Sequence, residues 1–232
     1  MLPAGGDTVV VDGDALTVEV RSAYDALAQE YASRFAGTEP EQAVDLAMID
    51  HFISLLVGDG PEVLDAGCGN GRISQYLADR GCVVRGVDLS PGMIAMAHRD
   101  HPDIATQVAS IIHLPSPDDR LDGVVYWYSI IHVADSDLPA VFEEARRVLR
   151  PSGVMLVAFQ AGEGVSDVGA GFRKLGYDGS LTRFNRTAEQ VWGQLTLAGF
   201  CEEARLVRRP ITEKNDQTFQ IVRTSPPRQD IR

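Results

Sequence analysis

Apolar residues along this chain follow two alternating rhythms. From about Val20 to Phe35, the positions Tyr24, Leu27, Ala28, Tyr31 and Phe35 fall at helical intervals. Gly37 and Pro40 punctuate that helix, and a second is expected from about Glu41 to Val57. The rhythm then shortens. Glu62–Asp65 reads as a short apolar strand, and a helix starts in the glycine-rich turn that follows and runs to about Arg80. Val83–Val87 is the next strand, ending at Asp88, followed by a helix over Pro91–Arg99. Strands are expected at Ile104–Val108, Asp122–Tyr128 and Val154–Phe159, with a helix over Asp137–Leu149 between the last two. Strand–helix alternation with short loops predicts a parallel sheet covered by helices on both faces.

Residues 161–186 break the pattern. They carry six glycines and no clear periodicity, and read as a long connection that covers a site. Thr187 is placed to cap a helix over Thr187–Ala198, with Glu189 and Gln190 in its first turn and Gly199 at its end. Two strands follow, Cys201–Arg208 and about Thr218–Arg223. Residues 1–19, rich in Gly and Asp near their start, read as a flexible leader, and 225–232 as a frayed tail. The organisation expected is one domain over 20–224, with an N-terminal helical lid (20–57) and an active-site cover (161–186).

Composition narrows the class. The 232 residues carry 21 basic against 33 acidic side chains, a net charge of −12. That balance disfavours a protein that grips nucleic-acid phosphates. No apolar run reaches the roughly 18 residues of a membrane span. The first residues lack the basic and apolar regions of a secretory signal. Cys68, Cys82 and Cys201 are too few for a disulfide framework, which points to a reducing, cytoplasmic setting. No metal site is expected: His98 and His101 could share a helix face, but without further ligands they read as solvated residues.

The main chemical signal is Val63-Leu64-Asp65-Ala66-Gly67-Cys68-Gly69-Asn70-Gly71-Arg72, between a strand and a helix. Glycines there let the backbone approach a ligand, and a helix N-terminus offers oriented N–H groups. The dinucleotide fingerprint Gly-x-Gly-x-x-Gly would need glycine where Arg72 stands. Asp88, 21 residues past Gly67, ends the next strand and is placed to accept two ribose hydroxyls.

Together with Gly86-Val87-Asp88-Leu89-Ser90-Pro91-Gly92-Met93 and Arg146-Arg147-Val148-Leu149-Arg150-Pro151-Ser152-Gly153, this segment resembles the class I S-adenosylmethionine-dependent methyltransferases, nearest their bacterial small-molecule branch. Tyr128-Ser129-Ile130-Ile131-His132 is similar to the motif that branch carries after its fourth strand. The resemblance covers about residues 20–223. It implies a Rossmann-like, doubly wound α/β fold with a seven-stranded, mostly parallel sheet whose last strand is antiparallel, beside the fifth. S-adenosylmethionine is the implied cofactor, leaving S-adenosylhomocysteine as product.

By position, the resemblance assigns Asp65 and the backbone of Gly67, Cys68 and Gly69 to the methionine part of that cofactor, with Arg72 opening the helix beside them. Asp88 takes the ribose, with Ser90 next to it, while Leu89 and Met93 pack on the adenine. Many relatives carry an Asp after the third strand; here Ser110 stands there, and Ser110 or the backbone of Ile111 would substitute. Tyr128 and Ser129 fall beside the sulfonium. Tyr24 and Tyr31 match aromatic positions of the N-terminal lid, with core packing as the alternative. Strand alternation turns Trp127 into sheet packing and its neighbours Tyr126 and Tyr128 to the other side.

His132 lies on the loop where open α/β sheets bind ligands, and a histidine suits a base that removes a proton from the methyl acceptor. A merely packing or hydrogen-bonding role stays open. His132 and Tyr24 are the catalytic candidates. Asp135 or Asp137 could orient His132, with capping of the next helix by Ser136 or Asp135 as the alternative.

No Asn/Asp-Pro-Pro-Tyr/Phe pattern follows the fourth strand and no cysteine follows a proline. With the negative charge, this favours a small-molecule acceptor, methylated on O or N. Arg173, Lys174, Arg183 and Arg186 are placed to bind an anionic group or to be solvated. A monomer or homodimer is expected. One rival is a non-catalytic S-adenosylmethionine-binding sensor or assembly protein; the other, disfavoured by Arg72, is a nicotinamide oxidoreductase.

Overall fold

A computed structural model describes residues 13–211 and 213–224. Within them the chain runs α1 (Gly13–Arg34), α2 (Ala43–Ser54), β1 (Glu62–Ala66), α3 (Arg72–Ala78), β2 (Val83–Asp88), α4 (Pro91–Asp100), β3 (Ala105–Val108) and β4 (Leu121–Trp127). It continues with α5 (Leu138–Val148), β5 (Leu149–Gln160), β6 (Gly164–Asp167), β7 (Thr182–Asn185), α6 (Ala188–Leu197), β8 (Phe200–Arg208) and β9 (Gln217–Thr224). The main sheet has the order β3-β2-β1-β4-β5-β9-β8. Strands β1 to β5 pair in parallel, and β9 lies antiparallel between β5 and β8. This is the expected seven-stranded, doubly wound sheet with its antiparallel last strand.

The sheet is buried on both faces. Tyr126, Met155 and Val157 point to one side, where Val141, Phe142 and Ala145 of α5 and Val191 and Leu195 of α6 cover them. Val125, Leu156 and Ala158 point to the other, under Ile49 and Phe52 of α2 and Ile73 and Leu77 of α3. Thr187 caps α6 as the sequence predicts: its hydroxyl accepts the Gln190 N–H while the Gln190 side chain accepts the Thr187 N–H. Among the described residues, no helix is long and apolar enough to cross a membrane.

Three expectations are corrected. First, residues 13–19 are not leader: they form the first two turns of α1, and Leu16, four residues before Val20, is buried. Residues 1–12 and the tail 225–232 lie outside the described residues. Second, the 161–186 connection contains strands β6 and β7, paired antiparallel from Gly164↔Asn185 to Asp167↔Thr182. No apolar alternation announced them, because Val165 is exposed in β6 and Phe184 is the one buried residue of β7. Third, neither Ser136 nor Asp135 caps α5. Its N-cap position is Asp137, which makes no side-chain cap, and Ser136 Oγ donates to the Asp137 carboxylate.

Helix α1 is tied down along its length. Asp25 Oδ1 accepts Ser90 Oγ–H at 2.5 Å and the Gly92 N–H at 2.8 Å, setting a carboxylate on the N-terminus of α4. The Asn70 side chain donates to the Phe35 carbonyl, and Glu19 Oε1 accepts the Thr182 N–H from β7. The first helix, the glycine loop and the β6–β7 hairpin therefore enclose one space.

Candidate active site

That space is a cavity of about 460 Å³ over the carboxyl ends of β1, β2 and β4. The sheet order reverses between β1 and β4, and open α/β sheets bind ligands at such switch points.

The glycine loop forms its floor. Gly67, Gly69 and Gly71 have φ of 84°, 54° and 85°, a region costly for other residues. The Gly67 and Cys68 N–H groups both donate to the Val87 carbonyl, tying the loop to β2. At Gly67 the backbone needs the space as well: an added Cβ would sit 2.2 Å from Ser129 Cβ. At Gly69 nothing lies within 4 Å, because that side faces the cavity. Asp88 accepts the Gly69 N–H and the Ser90 N–H, both at 2.9 Å, one on each carboxylate oxygen. Burial raises its pKa, and these two bonds oppose the rise.

The sequence-selected residues sort into three groups. Gly67, Gly69, Arg72, Asp88, Leu89 and Met93 line the cavity, as do Ser110, Ile111, Tyr128, Ser129, Tyr24, Tyr31 and His132. Asp65 and Cys68 instead line a small adjoining cleft that shares Gly67, Gly69, Arg72 and Tyr31. Ser90 lines neither. Its hydroxyl caps α4 by accepting the Met93 N–H, and it stands behind Asp88. Ser110 Oγ accepts the Ile112 N–H at 3.3 Å, holding the turn after β3.

Asp65 is fully buried. Its Oδ2 accepts Ser74 Oγ–H at 2.6 Å, while Oδ1 has no partner. Burial raises its pKa to about 6, against the opposing pull of Ser74 and Arg72. Arg72 donates to Glu41 Oε1 at 2.6 Å, and Trp127 Nε1–H donates to the same oxygen at 3.1 Å. Glu41 and Trp127 thus belong to the cavity wall, although the sequence reading selected neither.

Tyr128 departs from strand alternation. Its φ of 59° rotates it out of β4, so that it shares Trp127's face, ring edge to ring face at 5.6 Å, and donates to Gln217 Oε1 at 2.7 Å. Tyr126 alone takes the opposite side, fully buried with its hydroxyl on the Val141 carbonyl. A left-handed non-glycine residue at the end of a strand is a strained position that tertiary packing must hold, and no sequence spacing encodes it.

His132 ends a 3-10 turn over Ile130–His132 and is 8% exposed. Nδ1 lies 2.6 Å from the Thr182 carbonyl, which can only accept, so Nδ1 carries the proton. Nε2 is then left with its lone pair, 3.1 Å from Tyr24 Oη, which donates to it. Burial first, then the Arg183 charge, lowers the His132 pKa to about 4, with the Thr182 carbonyl opposing. The ring is therefore neutral at pH 7. Asp135 does not orient it: that carboxylate pairs with Arg186 Nε at 2.7 Å. Arg186 is buried and donates to the Ile130 and Val133 carbonyls, so it clamps the turn that carries His132 and is no ligand for an anion. Arg173 is exposed, whereas Arg183 lines the cavity.

No group of three or more His, Cys, Asp or Glu that could hold a metal ion occurs among the described residues.

Residues 63–153 match the protein family described as Methyltransferase domain. The chain is 34% identical over 116 residues to the malonyl-[acyl-carrier protein] O-methyltransferase of Serratia marcescens, an alignment covering 50% of this chain and 45% of that protein. The chain spans about half the length of the curated relatives it matches. Among solved structures, the Burkholderia thailandensis 1,6-didemethyltoxoflavin-N1-methyltransferase, with bound 1,6-didemethyltoxoflavin and S-adenosylhomocysteine, superposes with a TM-score of 0.71 at 18% identity, covering 96% of this chain and 94% of that one. The [4+2]-cyclase SpnF superposes with a TM-score of 0.68 at 16% identity over 91% of this chain and 97% of its own. One fold thus carries different chemistries, and the site must argue the reaction. Residues 63–153 thus match a methyltransferase domain, and the described chain shares its fold with solved methyltransferase structures.

Proposed function

We propose that the protein transfers a methyl group from S-adenosylmethionine to an oxygen or nitrogen atom of a small molecule. The observation that carries this reading is a single cavity with Asp88 and the glycine loop on one wall and a neutral His132, bonded to Tyr24, on another.

The residues fit that cofactor. The open face at Gly69 clears an approach to the loop backbone. Each Asp88 oxygen accepts one N–H, and a carboxylate has about four acceptor sites, so two ribose hydroxyls can be held as well. Leu89 and Met93 supply an apolar shelf for the base, and Ser110 Oγ or the Ile111 backbone a polar contact at its rim. The unpartnered Asp65 Oδ1 supplies a buried acceptor for an ammonium, with the Arg72 guanidinium nearby for a carboxylate. Tyr128, Ser129 and Tyr31 line the same cavity as His132.

When bound, S-adenosylmethionine supplies a methyl carbon activated by a positive sulfur. What remains for the chain is alignment and, for a protonated acceptor, proton removal. Tyr24 Oη, donating to His132, has lone pairs free to accept the acceptor's hydrogen as its own proton passes to Nε2. The His132 ring gains a positive charge as the sulfonium charge disappears, so the net charge of the buried site stays constant. The Thr182 carbonyl keeps the ring oriented and stabilises its charged form. α1 and β7 contribute side chains to the wall of the site.

The reading is tested by incubating the protein with S-adenosylmethionine and a panel of small hydroxylated and amino compounds and following S-adenosylhomocysteine. Acceptor-dependent production supports it; binding without turnover across the panel would favour the sensor reading. Asp88→Ala is expected to weaken S-adenosylhomocysteine binding by about 1.5–3 kcal/mol, the scale of bonds to a charged group. An unchanged calorimetric affinity would remove Asp88 from the ribose site.

The raised Asp65 pKa gives a pH dependence. A carboxyl that titrates at 3.8 when unfolded and about 6 when folded stabilises the free fold below pH 3.8, a contribution lost as pH rises through 6. A bound ammonium reverses the preference, because it favours the ionised form. S-adenosylhomocysteine affinity is therefore expected to fall about tenfold between pH 7 and pH 5, and the dependence to vanish in Asp65→Asn. Equal pH profiles for the two proteins would contradict the assignment.

A further inference from the structure

Arg183 lies in β7, facing the cavity. Three residues on, Arg186 faces the opposite way, as odd spacing along extended chain requires, and is consumed by the clamp on the Ile130–His132 turn. Arg183 has no such employment. No carboxylate among the described residues lies within ion-pair distance of it. The only side-chain hydrogen bond it makes among them runs from Nη1 to Gln160 Oε1, at 3.3 Å. Its Nε–H is buried and unpartnered. Burial, with no acidic group opposing it, lowers the pKa of the guanidinium.

A half-buried cation without an anion is a costly arrangement in a chain with 33 acidic side chains, unless something else supplies the charge. The orientation says what. With Nη1 turned to Gln160, the free edge is Nε–Nη2, the edge that meets a carboxylate through two parallel bonds. The same cavity has apolar lining to seat an apolar body: Val168 and Phe172 from the cover, and Ile131, Val133 and Ala134 from the segment around His132. The neighbouring residue, Thr182, gives its carbonyl to His132 Nδ1, which fixes Arg183 relative to the proposed proton acceptor.

We propose that Arg183 is the specificity residue for the methyl acceptor, and that the acceptor is a small molecule with an apolar or aromatic body and a carboxylate held on the Arg183 Nε–Nη2 edge. The inference rests on the methyl-transfer reading for the word acceptor, but not for the binding site itself. The carboxylate is an anchor: seated on β7, it leaves the rest of the molecule to reach Tyr24 and His132.

The test uses benzoate, phenyl phosphate and benzamide, three probes of one shape and different head groups, titrated into the protein by ligand-observed NMR with and without S-adenosylhomocysteine. Benzoate is expected to bind at least about tenfold more tightly than benzamide, a gap that charge-assisted, bidentate pairing supports. Arg183→Gln is expected to abolish the gap and Arg183→Lys to keep a reduced one. Tighter binding of phenyl phosphate than of benzoate, lost in the same variant, would reassign the anchor to a phosphate and overturn the carboxylate. Equal binding of benzoate and benzamide, a preference that survives Arg183→Gln, or no benzoate binding at 50 mM would each overturn the proposal. Should Arg183→Gln not fold, judged by its melting temperature, Arg183→Lys with the wild type carries the comparison. Failure of S-adenosylhomocysteine to bind, with the benzoate preference intact, would sink the cofactor reading and leave this site standing.

Discussion

His132→Ala is expected to lower methyl-transfer turnover about 10²–10⁴-fold, with S-adenosylhomocysteine affinity nearly intact. The effect follows from the tautomer. The Thr182 carbonyl fixes the proton on Nδ1, so Nε2 is the one atom of the ring able to receive a proton, and Tyr24 already points its hydroxyl there. Tyr24→Phe keeps the ring that packs edge-on against His132 at 5.6 Å but breaks the path, so its turnover should fall comparably. The double variant should be little worse than either single one, since both remove the same proton path. Removing the imidazole also strands a carbonyl and a hydroxyl, at about 1–3 kcal/mol of stability each. Turnover at saturating cofactor separates the roles: a structural histidine would lose cofactor affinity and turnover together. Because burial holds the His132 pKa at about 4, turnover at saturating cofactor should be flat from about pH 5.5 to 8, without an inflection near a free histidine's pKa of about 6.5.

Gly67→Ala should destabilise the fold by about 2–5 kcal/mol, combining left-handed backbone strain with overpacking. In a chain of this length that is a fall in melting temperature of roughly 5–15 °C. The added methyl meets Ser129 Cβ at 2.2 Å and Oγ at 3.0 Å, so the end of β4 must move from β1 and the Ser129 bond to the Ala66 carbonyl breaks. Gly69→Ala is the matched comparison. With nothing within 4 Å it carries backbone strain alone, yet its methyl stands where the cofactor would approach, so its loss should appear in binding more than in melting. Equal melting temperatures for Gly67→Ala and Gly69→Ala would contradict the close approach of the two strand ends.

The elements a reader of the sequence can find are those that local physics dictates. β1, the glycine turn and Asp88 are legible because close backbone approach and left-handed φ restrict the residues that fit. α5 is legible because Leu138, Val141, Phe142, Ala145 and Val148 keep one buried face. What stayed hidden depends on distant chain. Helix α1 begins seven residues before its expected start, since Leu16 shows its purpose only once the cover and the segment after His132 pack on it. Tyr128 turns back to Trp127's face through a φ that spacing does not reveal. Glu41 reaches Arg72 and Trp127 across 31 and 86 residues of sequence. Arg183 and Arg186 looked alike as cations in a glycine-rich connection, yet one faces the cavity and the other is buried against Asp135 and two carbonyls.

Residues 63–153 match a methyltransferase domain, and the cofactor site proposed above rests on Asp88 and the glycine loop. The most direct test of that account is calorimetric titration of the protein with S-adenosylhomocysteine, with NAD as control. S-adenosylhomocysteine is expected to bind in the micromolar range, one per chain, more weakly in Asp88→Ala, and NAD to give no heat. Binding of NAD without S-adenosylhomocysteine would contradict it, and so would an affinity for S-adenosylhomocysteine indifferent to both Asp88→Ala and Gly69→Ala.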